Sequence, residues 1–450
     1  MDQLFERSSI KKAYFTLAMP VVLSSAVIII YNLVDTFFVS KTQNPDLVAG
    51  VSQGAPVFSL LIAIGDIFGL GGSSLISRLF GEKRDHEARL ASGYCFYVSI
   101  IVGILMTIIM VAFQTPILHL LGATTATWQY VREYYLVIAF GAPFIVFGLT
   151  PTNILRTEGL AVQSMTASMV GTIFNIILNP IFIFPCGLGA AGSALATVVS
   201  NIIGDVLMIY YLNTKSQKLT TSIHETRLSP TLQKEIYSIG IPASITNIMV
   251  MFSMALTNRY LIAYGSTSVA AMGIANKINT IIFMVMVGFA FGAQPLIGYA
   301  YGAKNQKRFN ETVRFDILVV VVFGVVATLL MMLAAPLIIR LFMQDQTVIS
   351  EGTTMIRWLA SSTTLGGCIL VFTTMFQSMG KAVPAFWLSV SRQGLIFLVC
   401  IVVLHHLFGY WGIVSAQAAS DVLTLLLAVL MWQKNRPHFK KTVRINALVV

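Results

Sequence analysis

Apolar residues in this chain gather into runs long enough to cross a bilayer, which takes about 20 residues of helix. The runs fall at about 14–39, 48–77, 91–113, 130–152, 161–183, 190–212, 237–262, 268–298, 313–335, 352–378, 384–407 and 411–432. Glycine, proline and charge mark the breaks, as at Gly81-Glu82-Lys83-Arg84. The longest polar stretch, Asn213 to Glu235, separates the sixth run from the seventh and is the natural linker. The pattern predicts an all-α polytopic membrane protein with 12 transmembrane helices. An N-lobe is expected over residues 1–212, a cytoplasmic linker over 213–235, and a C-lobe over 236–450 that ends in a basic cytoplasmic tail.

The second half repeats the first. A shift of 221 places Val48-Ala49 on Val269-Ala270, and Phe68, Gly71, Leu75, Ile76, Gly81 and Lys83 on Phe289, Gly292, Leu296, Ile297, Gly302 and Lys304. The same shift carries Gly159, Ala161 and Val162 onto Gly380, Ala382 and Val383. A shift of 222 brings Lys12 and Pro20 onto Lys234 and Pro242, and one of 220 brings Gly189, Gly192, Ala196 and Ser200 onto Gly409, Gly412, Ala416 and Ser420. Six spans per half is an even number, so both halves start on the same side and the repeats are parallel. Two six-helix repeats around a central cavity are the architecture expected of a secondary transporter.

Composition narrows the class. Hydrophobic residues make up 56% of the chain and charged ones 10%, against a usual charged share of about 25%, and the mean hydropathy is +0.80. Such a chain cannot cover a water-soluble surface, which excludes a soluble enzyme, a DNA-binding protein and a disordered scaffold. The net charge of +11 reflects topology instead of a nucleic-acid partner. With the N-terminus inside, the inner segments hold 22 of the 29 basic residues, Arg156 among them. By the positive-inside rule both ends are expected in the cytoplasm and the protein in the cytoplasmic membrane. Cys95, Cys186, Cys368 and Cys400 form neither CxxC pairs nor a disulfide framework. No cleavable signal peptide is expected.

Two motifs imitate enzymes. Gly187-Leu188-Gly189-Ala190-Ala191-Gly192 matches GxGxxG, but no carboxylate follows about 20 residues on, as a dinucleotide ribose would need. It reads as a tight outer turn. Ile64-Gly65-Asp66 resembles the glycine-aspartate of intramembrane proteases, yet the chain has no tyrosine-aspartate partner for it, and neither a Walker A motif nor HExxH occurs. No enzyme activity and no cofactor are expected.

Charges inside the spans carry the candidate chemistry, because each costs about 2.5 kcal/mol or more at the bilayer centre. Asp35 lies near the outer end of the first span. Asn175 and Asn179 are spaced i, i+4 on one face near the outer end of the fifth, and Thr197 lies about two turns below the outer turn. One carboxylate, two amides and a hydroxyl in one half of the first lobe suit a proton or Na⁺; interhelical hydrogen bonding is the plainer alternative. Asp66, at mid-membrane, can hold a cationic substrate or pair with the backbone, and Asp205 is expected as a solvated inner-cavity residue. Asp421 is most simply a charge pair with Lys277 or Arg392. Asp66, Asp205, Lys277 and Asp421 form the candidate substrate cavity. Pro20 and Pro242 lie inside spans, where a missing hydrogen bond allows a bend.

These patterns resemble the multidrug and toxic compound extrusion (MATE) transporters over about residues 10–435. The resemblance rests on Val34-Asp35-Thr36, the run Gly69 to Gly81, Asn175-Ile176-Ile177-Leu178-Asn179-Pro180, and Gly189-Ala190-Ala191-Gly192-Ser193-Ala194-Leu195-Ala196-Thr197. It looks closest to the bacterial branch with DNA-damage-inducible F-like and staphylococcal multidrug-exporter-like members. It implies two lobes and export of organic, mostly cationic compounds in exchange for protons or sodium. It also implies a first-lobe cation site at Asp35, Asn175 and Thr197, and a bend at Pro20. Asn179 departs from members with aspartate there, which tilts the expectation toward protons and leaves Na⁺ at Asp35 as the one metal to consider. The expected partners are the lipid bilayer and small organic molecules, with the chain acting as a monomer. Lys277 and Arg392 keep zwitterionic or anionic substrates open, and a lipid or lipid-linked oligosaccharide flippase of related architecture is the alternative. An intramembrane enzyme is a remote one.

Overall fold

A computed structural model describes residues 3–342 and 345–437, apart from the side chains at 32, 33, 266, 341 and 342. Lys440, Lys441 and Arg444 of the expected basic tail lie outside the described residues. Twelve helices are long and apolar enough to cross a membrane. In the first half they are α1 (Ile10–Ser40), α2 (Pro45–Gly81), α3 (Asp85–Ala112), α4 (Trp128–Thr157), α5 (Ala161–Ile183) and α6 (Gly189–Lys215). In the second half they are α7 (Pro230–Leu261), α8 (Ser266–Gly302), α9 (Gln306–Phe342), α10 (Gln346–Ser378), α11 (Ala382–Phe408) and α12 (Tyr410–Asn435).

Most helices run past the apolar runs that announce them. Backbone groups must be paired inside the bilayer, and side-chain caps carry helix geometry into the polar margins. Asn44 Oδ1 accepts from the backbone N–H groups of Asp46 and Leu47, each at 3.1 Å, with Pro45 in the first turn. Ser229 before Pro230 starts α7 in the same way. The linker shrinks accordingly: α6 continues to Lys215, α7 begins at Pro230, and a short 3₁₀ turn, Ile223–Glu225, sits between them. A short helix, Gln114–Leu120, between α3 and α4 was not visible in the hydropathy pattern.

The repeat is physical. Within each half the second helix packs most heavily on the fourth (α2 on α4, α8 on α10), and the fifth pairs with the sixth. Left-handed backbone recurs at matching places: Lys83 (φ 60°) and Lys304 (φ 53°), Gly159 (90°) and Gly380 (70°), Gly189 (51°) and Gly409 (57°). The halves meet by the same rule, α1 on α8 and α7 on α2. At the end of the bundle bearing most basic residues, α2 and α8 cross closely. A Cβ built on Gly81 would stand 2.2 Å from the Tyr299 carbonyl oxygen, and one on Gly302 would stand 2.1 Å from that of Arg78. Only glycine permits that approach.

Polar ties close this basic end. Tyr14 of α1 donates to Asp316 of α9 at 2.8 Å, Arg78 pairs with Glu235 at 2.9 Å, and Ser74 donates to the Gln377 carbonyl. The segment Gln3–Arg7 straps the same end: Phe5 is fully buried against Tyr299, Tyr299 donates to Glu6 at 2.6 Å, and Arg308 donates to the Leu4 and Ser8 carbonyls. Lys83 and Tyr299 beside Glu6 hold its carboxyl below the usual range. Among the described residues, every hydrogen bond between the halves lies at the basic end or at mid-depth, where Asn247 donates to Asp66 at 3.2 Å. Hydrogen bonds between the halves among the described residues are thus concentrated away from the far end of the seam.

Candidate functional site

Three helices of the first half bring together the residues singled out near the far end. Asp35 comes from α1, Asn175 and Asn179 from α5, and Ser193 and Thr197 from α6. The i, i+4 spacing on α5 and again on α6 stacks each pair on one face, and these faces turn toward α1. Asn179 Nδ2 donates to Asp35 Oδ1, and Ser193 Oγ donates to the same oxygen at 3.1 Å. One turn deeper, Asn175 Nδ2 reaches Thr197 Oγ1 at 3.4 Å and Ser200 Oγ at 3.3 Å, and Tyr31 OH lies 3.3 Å from Thr197 Oγ1.

Asn175 and Asn179 are 2% and 0% exposed, and the side-chain oxygen of each has no hydrogen-bond partner among the described residues. Buried acceptors normally have one. Two buried carbonyl-type oxygens without partners thus belong to the same cluster as a carboxylate whose described partners, Asn179 and Ser193, are neutral. Such a set of hard oxygens accepts a proton at the carboxylate or an alkali cation between the oxygens. Tyr31, Ser193 and Ser200 were missed in the sequence, although Tyr31 stands four residues before Asp35 and Ser193 four before Thr197. That spacing was the available signal.

The four candidate cavity residues do not converge. Asp66 sits at mid-depth on the seam, bound by Asn247 and within electrostatic reach of Arg156. Arg156 was counted with the inner-loop cations, but it is buried in the first half and donates to Asn153 at 3.3 Å. Asp205, expected in a solvated cavity, is 6% exposed and packs on Gly148 of α4, where a Cβ would stand 2.5 Å from its Oδ1. The small residue opposite makes room for the carboxylate inside the lobe. Lys277 is exposed on α8.

Asp421 is closed off by Arg392: Nε donates to Oδ1 at 2.9 Å, and Gln417 donates to the same oxygen. Arg392 also lies over the Phe283 ring at 4.5 Å. It sits in a π-helical turn, Ser391–Leu395, that interrupts α11, where the matching helix α5 is regular. The sequence left both Lys277 and Arg392 open as partners of Asp421; the pair is Arg392–Asp421. Asp316 was overlooked altogether because it falls just inside the ninth run, between Phe315 and Ile317.

A polytopic bundle of two parallel repeats, tied at one end and carrying a polar cluster inside one lobe, is the build of a secondary transporter, not an enzyme. The MatE family profile matches residues 20–181 and 242–411, one segment in each repeat. The chain belongs to this family of membrane transporters. The multidrug export protein MepA of Staphylococcus haemolyticus (strain JCSC1435) is 28% identical over 425 residues, covering 94% of each chain. MepA of Staphylococcus aureus (strain N315) is 27% identical, covering 95% of this chain and 94% of that one. Among solved structures, a MATE in the straight conformation superposes with a TM-score of 0.90 at 26% identity, over 96% of this chain and 97% of that one. An outward-facing multidrug resistance MATE transporter of the MOP superfamily gives the same values. A MOP superfamily transporter from Pyrococcus furiosus Vc1, described as having a binding pocket of reverse polarity, gives 0.89 at 27%, over 96% and 97%.

Proposed function

We propose that this protein exports organic, mostly cationic and amphipathic compounds across the cytoplasmic membrane by antiport with protons or sodium, as a monomer and with no cofactor beyond the coupling ion. Asp35, Asn175, Asn179 and Thr197 hold that ion, with Tyr31 and Ser193 completing the shell. The observation that carries this reading is the half-buried Asp35 carboxylate, bound by neutral donors in a cluster that also holds two buried amide oxygens without partners among the described residues. A charge in such surroundings needs a counter-cation or a proton. With one carboxylate, the site is balanced by a single monovalent cation.

The basic end faces the cytoplasm on this reading, by the positive-inside rule, so lobes tied at that end leave the cleft open to the outside. When Asp35 gains its cation, the packing of α1 against α5 and α6 changes and the inward-open state becomes favoured as drug leaves. Pro20 lies between Ala18 and Val22, the α1 residues that pack on Gly292 and Gly288 of α8. A bend at Pro20, which lacks a backbone donor, remakes that seam. The staphylococcal MepA relatives support multidrug export and the branch to which the sequence is similar.

The test is a gradient swap in proteoliposomes. A pH gradient or a Na⁺ gradient, imposed alone, is expected to drive ethidium against its own gradient; uphill movement under neither overturns the reading, and the gradient that works names the ion. A lipid or lipid-linked oligosaccharide flippase is the second reading, favoured by exposed Lys277 and by the likeness to the reverse-polarity transporter. Expression in an efflux-deficient host separates the two, since a flippase leaves drug susceptibility unchanged.

A further inference from the structure

A second cavity lies far from the coupling cluster, at the basic end of the second half. It holds about 540 Å³, within the usual size of a small-molecule site. One wall is a single face of α9, with Arg314 and the apolar Val313 and Ile317. The opposite wall is the end of α12, with Trp432 and Arg436, and Phe372 of α10 forms the floor. Phe309 and Trp432, stacked at 6.3 Å, join the two walls.

The charge in this cleft is uncompensated. Arg314 and Arg436 are both exposed, neither makes an ion pair among the described residues, and no Asp or Glu lines the cavity. The nearby Glu311 is within electrostatic reach of Arg308 and forms no ion pair with Arg314 among the described residues. Lys381 closes the neighbouring edge by donating to the Asn435 carbonyl at 2.7 Å. Arg436 lies over the Trp432 ring at 5.8 Å and lines the cavity while remaining exposed.

Three features identify the occupant. Two guanidinium groups call for an anion with several acceptor oxygens, such as a phosphate. Tryptophan beside arginine at the end of a spanning helix is the composition of the headgroup zone. Above Arg314, α9 shows an open apolar face to the bilayer, with Leu318, Val322 and Val326 each about half exposed, and α9 is the least buried of the twelve helices. The sequence after α12 supplies no acidic side chain for the two guanidiniums, since residues 438–450 carry Lys440, Lys441 and Arg444 and no Asp or Glu.

We propose that this cleft is a binding site for an anionic phospholipid, its headgroup phosphate held between Arg314 and Arg436, its glycerol against Trp432 and Phe372, and an acyl chain along Leu318 and Val322 of α9. The site is distinct from the coupling cluster, and its test does not depend on transport.

Native mass spectrometry of the full chain in detergent, with phosphatidylglycerol or phosphatidylcholine of matched acyl chains, decides it. With two basic residues at one anionic headgroup, wild type is expected to retain phosphatidylglycerol roughly tenfold better or more. Arg314→Gln with Arg436→Gln should abolish the preference, each single change should reduce it, and Lys434→Gln, exposed on α12 outside the cleft, should leave it intact. Equal retention of both lipids by wild type, an undiminished preference in the double variant, or an equal loss with Lys434→Gln overturns the site. Displacement of the lipid by millimolar inorganic phosphate also overturns it, in favour of a soluble phosphate ligand. Both arginines are exposed, so the variants are expected to fold; a double variant that does not leaves the single changes to decide.

Discussion

The two halves share one plan of six helices yet hold two of their intramembrane carboxylates, Asp35 and Asp421, in opposite ways. In the first half, Asp35 is bound by an amide and a hydroxyl. In the second, Asp421 is bound by an arginine that is itself mostly buried, with side-chain exposures of 1% and 14%. The internal shift makes the contrast sharper. Asp35, Asn175 and Asn179 correspond to Leu256, Ile396 and Cys400, while Gly171 and Asn201 correspond to Arg392 and Asp421. At these positions each half carries a charged side chain where the other carries none. A carboxylate held by neutral donors can exchange its counter-cation, whereas one locked to a guanidinium has its charge settled inside the protein. The two lobes share one helical plan and differ in electrostatics: one holds a carboxylate among neutral donors and the other pairs a carboxylate with a guanidinium.

The largest expected effect comes from breaking the fixed pair. Asp421→Asn strands Arg392 and should cost about 3–5 kcal/mol of stability. Replacing both partners, Arg392→Met with Asp421→Leu, should recover most of it. Thermal unfolding in detergent measures this, and a single variant as stable as wild type would erase the contrast between the lobes.

Asp316 is a third case, a carboxylate bound by a neutral donor but across the seam. Tyr14→Phe removes that donor and should weaken closure of the basic end by about 1–3 kcal/mol, seen as faster labelling of a cysteine placed there by a membrane-impermeant thiol reagent. Gly302→Ala sharpens the same point sterically. Its Cβ would meet the Arg78 carbonyl, and overpacking of about 1 kcal/mol or more should raise labelling without touching Asp35.

The smallest effect is on the strap. Glu6 is held below its free value, so its contribution is complete above the unfolded carboxylate range and is lost as pH falls through the depressed one. The protection factors of the backbone amides over residues 3–7, taken relative to the intrinsic exchange rate at each pH, should therefore be constant at neutral pH and fall only in acid.

The fold was legible because bilayer spans impose long apolar runs and because glycines at close crossings, such as Gly81 and Gly302, recur at a fixed shift. Helix ends were less so, since caps such as Asn44 and Ser229 extend helices into polar sequence. The polar cluster of α1, α5 and α6 was half legible. Asp35, Asn175, Asn179 and Thr197 could be placed together by depth, but Tyr31 and Ser193 are ordinary residues until the facing of α1, α5 and α6 is known. Asp205 and Arg156 misled for one reason: depth along a helix says nothing of whether a charge faces water or Gly148. The Tyr14–Asp316 contact joins residues some three hundred positions apart, and no local pattern announces it.

The central claim is that the exchangeable charge lies in the first lobe and the fixed one in the second. Ion-driven, concentrative efflux in proteoliposomes, measured side by side for Asp35→Asn and for the double variant Arg392→Gln with Asp421→Asn, tests it most directly. The account predicts that Asp35→Asn folds normally but no longer moves drug uphill under any ion gradient, while the double variant still does. Uphill transport by Asp35→Asn, or its loss in a folded double variant, would contradict the account.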